Sequence, residues 1–313
     1  MTPVRSVSRS ANARRRARPA GMPPWMDPPH PLVRIGKAVL LTLIAITMLF
    51  PFVYVVAVSF SSYKDVLGGG LILFPANPTL DAYRTILAGD IVVRALQVSI
   101  GLTLVGTAVN MLMTVTLAYG LSRPGVPGSR FVLLLVLFSM LFSPGLIPNY
   151  LLVRELGLID SYSALILPGA ISAFNLLVMR NFFMNLPQDL LDSARVDGAS
   201  DIRVLWNITL PLSRAVLAAI SLFYAVAHWN MFFNAILYLN DPAKWPIQVV
   251  LNQYVLQGSL LAGSDLGIAG APPPPPQTIQ MAVVVIATVP ILLIYPFLQK
   301  YFTKGVLTGA IKG

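Results

Sequence analysis

The chain has 313 residues, 56% of them apolar and only 11% charged, with a mean hydropathy of +0.74. Soluble domains normally carry about 25% charged residues, so this composition cannot cover a water-exposed globule and reads as an all-α membrane protein. There is no cysteine, and His30 and His228 are far apart in sequence, which excludes disulfides and thiolate sites and argues against a zinc or iron centre.

The net charge is +10, but its distribution does not suggest nucleic acid. Arg5, Arg9, Arg14, Arg15, Arg16 and Arg18 lie among Ser, Ala and Pro, a mixture with too few apolar residues to offset the entropy of ordering. Residues 1–34 therefore read as a disordered basic cytoplasmic tail, since no folded nucleic-acid reader accompanies them. The first apolar run is too long for a cleaved signal, and further runs follow it.

A helix needs roughly 20 apolar residues to cross the hydrocarbon layer. Six segments of 35–313 meet that length, at about 36–60, 94–121, 131–153, 162–183, 212–238 and 279–302. Pro51 should kink the first. Pro144, Gly145 and Pro148 interrupt the third, and broken backbone at membrane depth is tolerated only inside protein or beside a water-filled cavity. Lys and Arg near the helix ends set orientation. With the N-terminus inside, Arg34, Lys37, Arg123, Arg130, Arg180, Arg195, Arg203, Arg214, Lys300, Lys304 and Lys312 fall on the cytoplasmic side. Only Lys64, Arg84, Arg94, Arg154 and Lys244 remain outside, so both termini are expected in the cytoplasm. Two outer connections are long, 61–93 and 239–278, and Pro272 to Pro276 should force an extended polyproline rod.

The inner connection at 184–211 reads as a helix–glycine–helix elbow. Pro187 suits a first helical turn, and Asp189 and Asp192 suit the positive end of its dipole. Leu190, Leu191, Ala194 and Val196 give it a partly apolar surface. Gly198 suits a left-handed stop. Ser200 can cap a second short helix through Leu205 and Trp206, with Pro211 ending it. An elbow with apolar residues left to bury wants a groove on a partner.

The stretch DSARVDGASDIRVLWNITLP resembles the cytoplasmic coupling loop of binding-protein-dependent ABC transporter permeases. Asp192, Ser193 and Ala194 take the opening positions of that pattern, Asp197, Gly198 and Ala199 its centre, and Leu210 and Pro211 its end. The departures are Asp192 for Glu, Ser193 for Ala, and Leu205 where an aromatic is usual, with Trp206 adjacent. LFYAVAHWNMFFNAILYLNDPAKWPIQVVL and the C-terminal TVPILLIYPFLQKYFTKGVLTGAIKG resemble carbohydrate-importer permeases, and the likeness runs from about residue 36 to Gly313. The resemblance implies a type I ABC importer permease with six transmembrane helices. It also implies a second homologous permease, an ATPase dimer that holds ATP and Mg, and an extracytoplasmic sugar-binding protein. Gly198 would let the elbow fit the ATPase, with Asp192, Ala194, Asp197, Ala199, Leu205 and Pro211 around it. For the two acids, capping and dipole compensation remain equally open.

The chain has no G-x-x-x-x-G-K-[ST] phosphate loop, so it is not expected to hydrolyse ATP itself or to hold a cofactor. Polar groups within membrane helices often mark a pathway. Asn230 and Asn234, four apart and sharing a helix face, with Phe233 beside them and Asn110 in the second helix, are the candidate sugar contacts. Interhelical hydrogen bonding is the alternative role for the same side chains. Three competing functions are a permease for another small solute, an ion-coupled secondary transporter, and a membrane enzyme. The C-terminal stretches oppose the first. The lack of visible repeats and intramembrane charges opposes the second, and the lack of a catalytic constellation opposes the third.

Overall fold

The computed structural model describes residues 31–257 and 275–310, with side chains for 31–255 and 275–294. The arginine tail, Pro272 to Pro274 and Lys312 lie outside the described residues. The chain divides into two units, Met1–Val53 and Tyr54–Gly313.

Fifteen α-helices occur in the described residues. They are α1 Pro31–Ser59, α2 Tyr63–Leu67, α3 Asp81–Ala88, α4 Asp90–Ser122, α5 Ser129–Leu141, α6 Leu146–Glu155, α7 Ser163–Ile166 and α8 Ala173–Met184. After these come α9 Gln188–Val196, α10 Asp201–Val204, α11 Leu210–Leu212, α12 Arg214–Trp229, α13 Phe233–Tyr238, α14 Ile247–Gln257 and α15 Pro276–Ala310. Among the described residues the strand-like feature is an isolated bridge between Ser61 and Pro78. The expected all-α class holds.

Three described helices are long and apolar enough to cross a membrane, or up to four if a bent pair counts as one. They are α1, which contains Pro51, α4, and the start of α15. The other expected spans are broken. Segment 131–153 splits into α5 and α6, with Phe142 extended and Gly145 at φ +84°. Segment 162–183 is not one helix either: α7 stops before Pro168 and Gly169, and α8 begins at Ala173. Segment 212–238 separates into α12 and α13 at Asn230, although no proline or glycine lies there. Asn230 caps α12: its backbone N–H and side-chain amide both donate to the Val226 carbonyl, each at 3.0 Å, and the next N–H, of Met231, tightens onto the His228 carbonyl at 3.2 Å. The polyproline expectation is corrected at its described end only. Pro276 is the first residue of α15, where a missing N–H costs nothing, and the Pro275 carbonyl accepts from Thr278 and Ile279.

α4 is the central post, packing against α8, α12 and α14. Its buried stripe runs Ala95, Ser99, Leu102, Gly106, Asn110, Thr114, Ala118 and Leu121, the three-and-four spacing of one helix face. Small residues on that stripe let neighbouring backbones approach closely. At Gly106 a Cβ would stand 2.6 Å from His228 Nε2, so the glycine makes the room that the imidazole occupies.

A polar clip ties the turn before α7 to the segment after α13. Asp160, at φ +61°, accepts from Lys244 Nζ at 2.6 Å and from the backbone N–H groups of Asn240 and Asp241 at 3.0 Å. The Lys244 hydrogen bond, helped by those N–H groups, holds the Asp160 carboxyl below its ordinary value, and Asp160 in turn raises Lys244. The acid's contribution is therefore present above its unfolded value of about 3.9 and lost as pH falls through the depressed folded value. The lysine's contribution is complete below about 10.4 and lost as pH rises through the raised folded value. Hydrogen-exchange protection of residues 239–246 should accordingly stay constant from about pH 5 to 9. Asp160→Asn should lower that protection throughout the range, and equal protection in the two proteins would remove the clip from the account.

Candidate functional site

The 188–212 elbow is built from local chemistry. Pro187 stands at the N-cap, one residue earlier than expected, and Asp189 lies in the first turn of α9. The far end of α9 closes as a Schellman motif. Gly198 N–H donates to the Arg195 carbonyl at 3.0 Å, and Ala199 N–H donates to the Ala194 carbonyl at 2.9 Å. Gly198 sits at φ +81°, the left-handed geometry that glycine adopts without a Cβ penalty. The Ser200 hydroxyl then accepts from Arg203 N–H and starts α10.

Pro211 does not end this second arm. A π-turn over Leu205–Thr209, closed by Leu210 N–H donating to the Leu205 carbonyl, carries the helix on into α11. Pro211 therefore lies inside α11, and the sharp 85° turn into α12 comes at Ser213. The wider π-turn shifts the register, so the N–H that proline lacks falls where the ladder is already disturbed.

The elbow has two unlike faces. Leu191, Val204 and Leu205 are buried in a cluster with Val115, Ala118, Leu176, Met179 and Ile220, and Ala194 and Ala199 pack against it. The Tyr119 hydroxyl donates to the Asp201 carbonyl at 3.0 Å, and the Arg123 guanidinium lies 4.2 Å above the Tyr119 ring. Burying each leucine contributes about 1.5–3 kcal/mol, so the inner face anchors the elbow firmly to α4, α8 and α12. On the other side Val196 is 87% exposed, Ile202 71% and Trp206 62%. Arg195 bridges the two arms, at 3.2 Å from Asp192 and 3.9 Å from Asp201. Exposed pairs of this kind contribute about 0–1 kcal/mol, enough to bias the angle of the elbow and too little to set it. Asp192 is thus engaged within the elbow, whereas Asp197 is exposed at its tip.

Higher along α4, a cavity of about 620 Å³ opens where helices break. Its wall includes Asn110 of α4, Asn149 of α6, Gly169 and Ser172 of the α7–α8 connection, and Phe174 and Asn175 of α8. Phe223, Tyr224 and His228 of α12, with Met231 and with Asn234 and Tyr238 of α13, complete much of the rest. Asn110 Nδ2 lies 3.2 Å from His228 Nε2 and 3.5 Å from the Gly169 carbonyl. The Tyr224 hydroxyl accepts from Ser172 N–H at 3.0 Å and pairs with Thr114 Oγ1 at 2.7 Å.

Two of the four candidate contacts, Asn110 and Asn234, therefore line the cavity. Asn230 does not: the break at residues 230–232 takes it off the face of Asn234, and its amide is bonded to Val226. Phe233 is 55% exposed and lies outside the lining. Asn149, Ser172, Asn175, Tyr224 and His228 were not legible as a group, because they meet only once three spans are interrupted. Pro168 and Gly169 were the available signal for one of those interruptions.

Residues 32–308 match the family described as the inner membrane component of binding-protein-dependent transport systems. The chain belongs to that family. It is 50% identical over 275 residues to the polygalacturonan/rhamnogalacturonan transport system permease protein YtcP of Bacillus subtilis, covering 87% of this chain and 96% of the relative. Protein LplC of the same organism is 51% identical over 269 residues, covering 86% and 90% respectively. Among solved structures, a chain of a bacterial ABC transporter involved in the import of the acidic polysaccharide alginate superimposes with a TM-score of 0.80. That chain is 32% identical, with 87% of this chain and 96% of the other covered. As a member of this family the chain is a multi-pass inner-membrane transport subunit. The elbow and the cavity are joined through α4, which carries Asn110 at the cavity and Tyr119 at the elbow.

Proposed function

We propose that this chain is one of two permease subunits of an ABC importer for oligosaccharides. A separate ATPase dimer, which binds ATP and Mg, grips the 188–212 elbow from the cytoplasm, and a second homologous permease completes the pathway. An extracytoplasmic binding protein delivers the sugar. The observation that carries this reading is the two-faced elbow: its inner face is fastened to α4, α8 and α12, and its outer face presents Val196, Ile202 and Trp206. Apolar side chains exposed beside charged ones mark a docking surface, and in this family the natural occupant is a motor subunit. Polygalacturonan/rhamnogalacturonan and alginate, the cargoes named for the 50% identical relative and for the matching solved transporter, support a saccharide substrate.

Six crossings, three of them interrupted, put both termini in the cytoplasm and agree with the distribution of Lys and Arg. Asp192 and Arg195 bias the angle of the elbow, Asp197 meets the ATPase, and Gly198 with Ala194 and Ala199 forms the stop that shapes the tip. Leu205 anchors the second arm, and Pro211 sits within it. Asn110 and Asn234 belong to the sugar pathway.

Reconstitution tests the reading. The complete assembly in proteoliposomes should take up oligogalacturonide only when the ATPase, ATP and the binding protein are all supplied. Uptake driven by an ion gradient without ATP would replace this reading with a secondary transporter.

A further inference from the structure

Two buried polar atoms of the cavity wall find no hydrogen-bond partner among the described residues: Asn110 Oδ1 and His228 Nδ1. Both residues are 3% exposed, and both line the cavity. A polar atom buried without a partner is costly, and here two are placed side by side by the Asn110–His228 contact at 3.2 Å. The Tyr224 hydroxyl nearby is already used by Thr114 and Ser172. It shapes the wall, whereas the amide oxygen and the imidazole nitrogen remain to bond something else. Because the Asn110 amide N–H donates to His228 Nε2, the neutral imidazole carries its proton on Nδ1, so the amide oxygen accepts and Nδ1–H donates. A sugar hydroxyl, which both donates and accepts, can meet either atom.

The rest of the lining narrows the ligand class. It contains no lysine, arginine, aspartate or glutamate. Phe174 and Phe223, with ring centroids 6.5 Å apart, offer aromatic carbon on the same wall. A uronate carboxylate buried here would have no cation to pair with, and burying an unpaired charge is far more costly than burying a hydroxyl. We propose that Asn110 and His228 form a hydroxyl-reading subsite that takes the uncharged edge of one saccharide ring, so that any carboxylate on the cargo lies away from this wall. Gly106 is a positioning residue for the subsite, since a Cβ there would meet three atoms of the His228 ring at 2.6–2.9 Å.

The inference rests on the cavity being the cargo path, and its test separates it from that reading. Because the chain has no cysteine, Met231→Cys places a single thiol on the wall without touching the proposed pair or Asn234. In the assembled complex in nanodiscs, its partner subunits freed of cysteine, trigalacturonate and its uncharged trimethyl ester are each titrated against thiosulfonate labelling of that thiol. Both probes should protect at similar concentrations. Asn110→Ala and His228→Gln should each raise the half-protecting concentration of both probes about tenfold, the effect of losing one hydrogen bond to a buried group. Protection by the acid alone, by neither probe, or undiminished in both variants would overturn the subsite. Protection without ATP-driven uptake would uphold the subsite and overturn the importer reading. Uptake without protection would do the reverse.

Discussion

Gly198→Val should reduce ATP-driven uptake by the reconstituted importer to background, while the separate binding protein still binds its sugar. Nothing lies within 4 Å of a Cβ built at Gly198, so the penalty is not a clash inside the chain. It comes from the backbone. At φ +81° an L-residue costs about 1–2 kcal/mol, and a β-branched residue is worse still at positive φ. That is enough to open the Schellman closure and swing α10 relative to α9, and the elbow tip then no longer matches its groove. Gly198→Asn provides the control. Asparagine is the next most common residue at this cap and should keep most of the uptake, with Gly198→Ala between the two. If the valine variant transports like the wild type in an assembled complex, the elbow's shape does not matter to coupling.

The second large effect is expected on the exposed face. Val196→Asp with Ile202→Asp should abolish co-purification of the ATPase without unfolding the chain, because both side chains point away from the buried cluster of Leu191, Val204 and Leu205. Two carboxylates pressed into an apolar groove without partners cost several kcal/mol, and each 1.4 kcal/mol weakens binding tenfold. The double variant should therefore assemble with the second permease, retain the thermal stability of the isolated membrane subunits, and lose the ATPase. Leu191→Asp is the contrast: it strikes the inner face and should destabilise the chain itself. ATPase retained at wild-type stoichiometry in the double variant would show that this face is not the docking surface.

The elbow was largely legible in the sequence because its structure depends on neighbours. Gly198 ends a helix by its own backbone freedom, and Ser200 starts the next through a bond three residues away. Pro211 was misread because a proline's effect depends on which carbonyl it would obstruct, and the π-turn at Leu205–Thr209 changes that register. The cavity was much less legible. Asn110 and Asn234 were found as polar residues in apolar runs, but Asn230 was grouped with Asn234 on the assumption of an unbroken helix. Its side chain shares the Val226 carbonyl with its own backbone N–H at the end of α12, and no composition or periodicity reveals that cap. Tyr224 and His228 acquire meaning from Thr114, Ser172 and Gly106, which are remote in sequence. Likewise, the Asp160–Lys244 clip joins two loops that no local pattern connects.

The most direct measurement is sided labelling of a single cysteine at Val196, in a chain that otherwise has none. A membrane-impermeant maleimide should modify it in inside-out vesicles and not in intact cells, and bound ATPase should block the reaction. Labelling from the outside of intact cells, or labelling at an unchanged rate when the ATPase is bound, would contradict the cytoplasmic docking of the elbow.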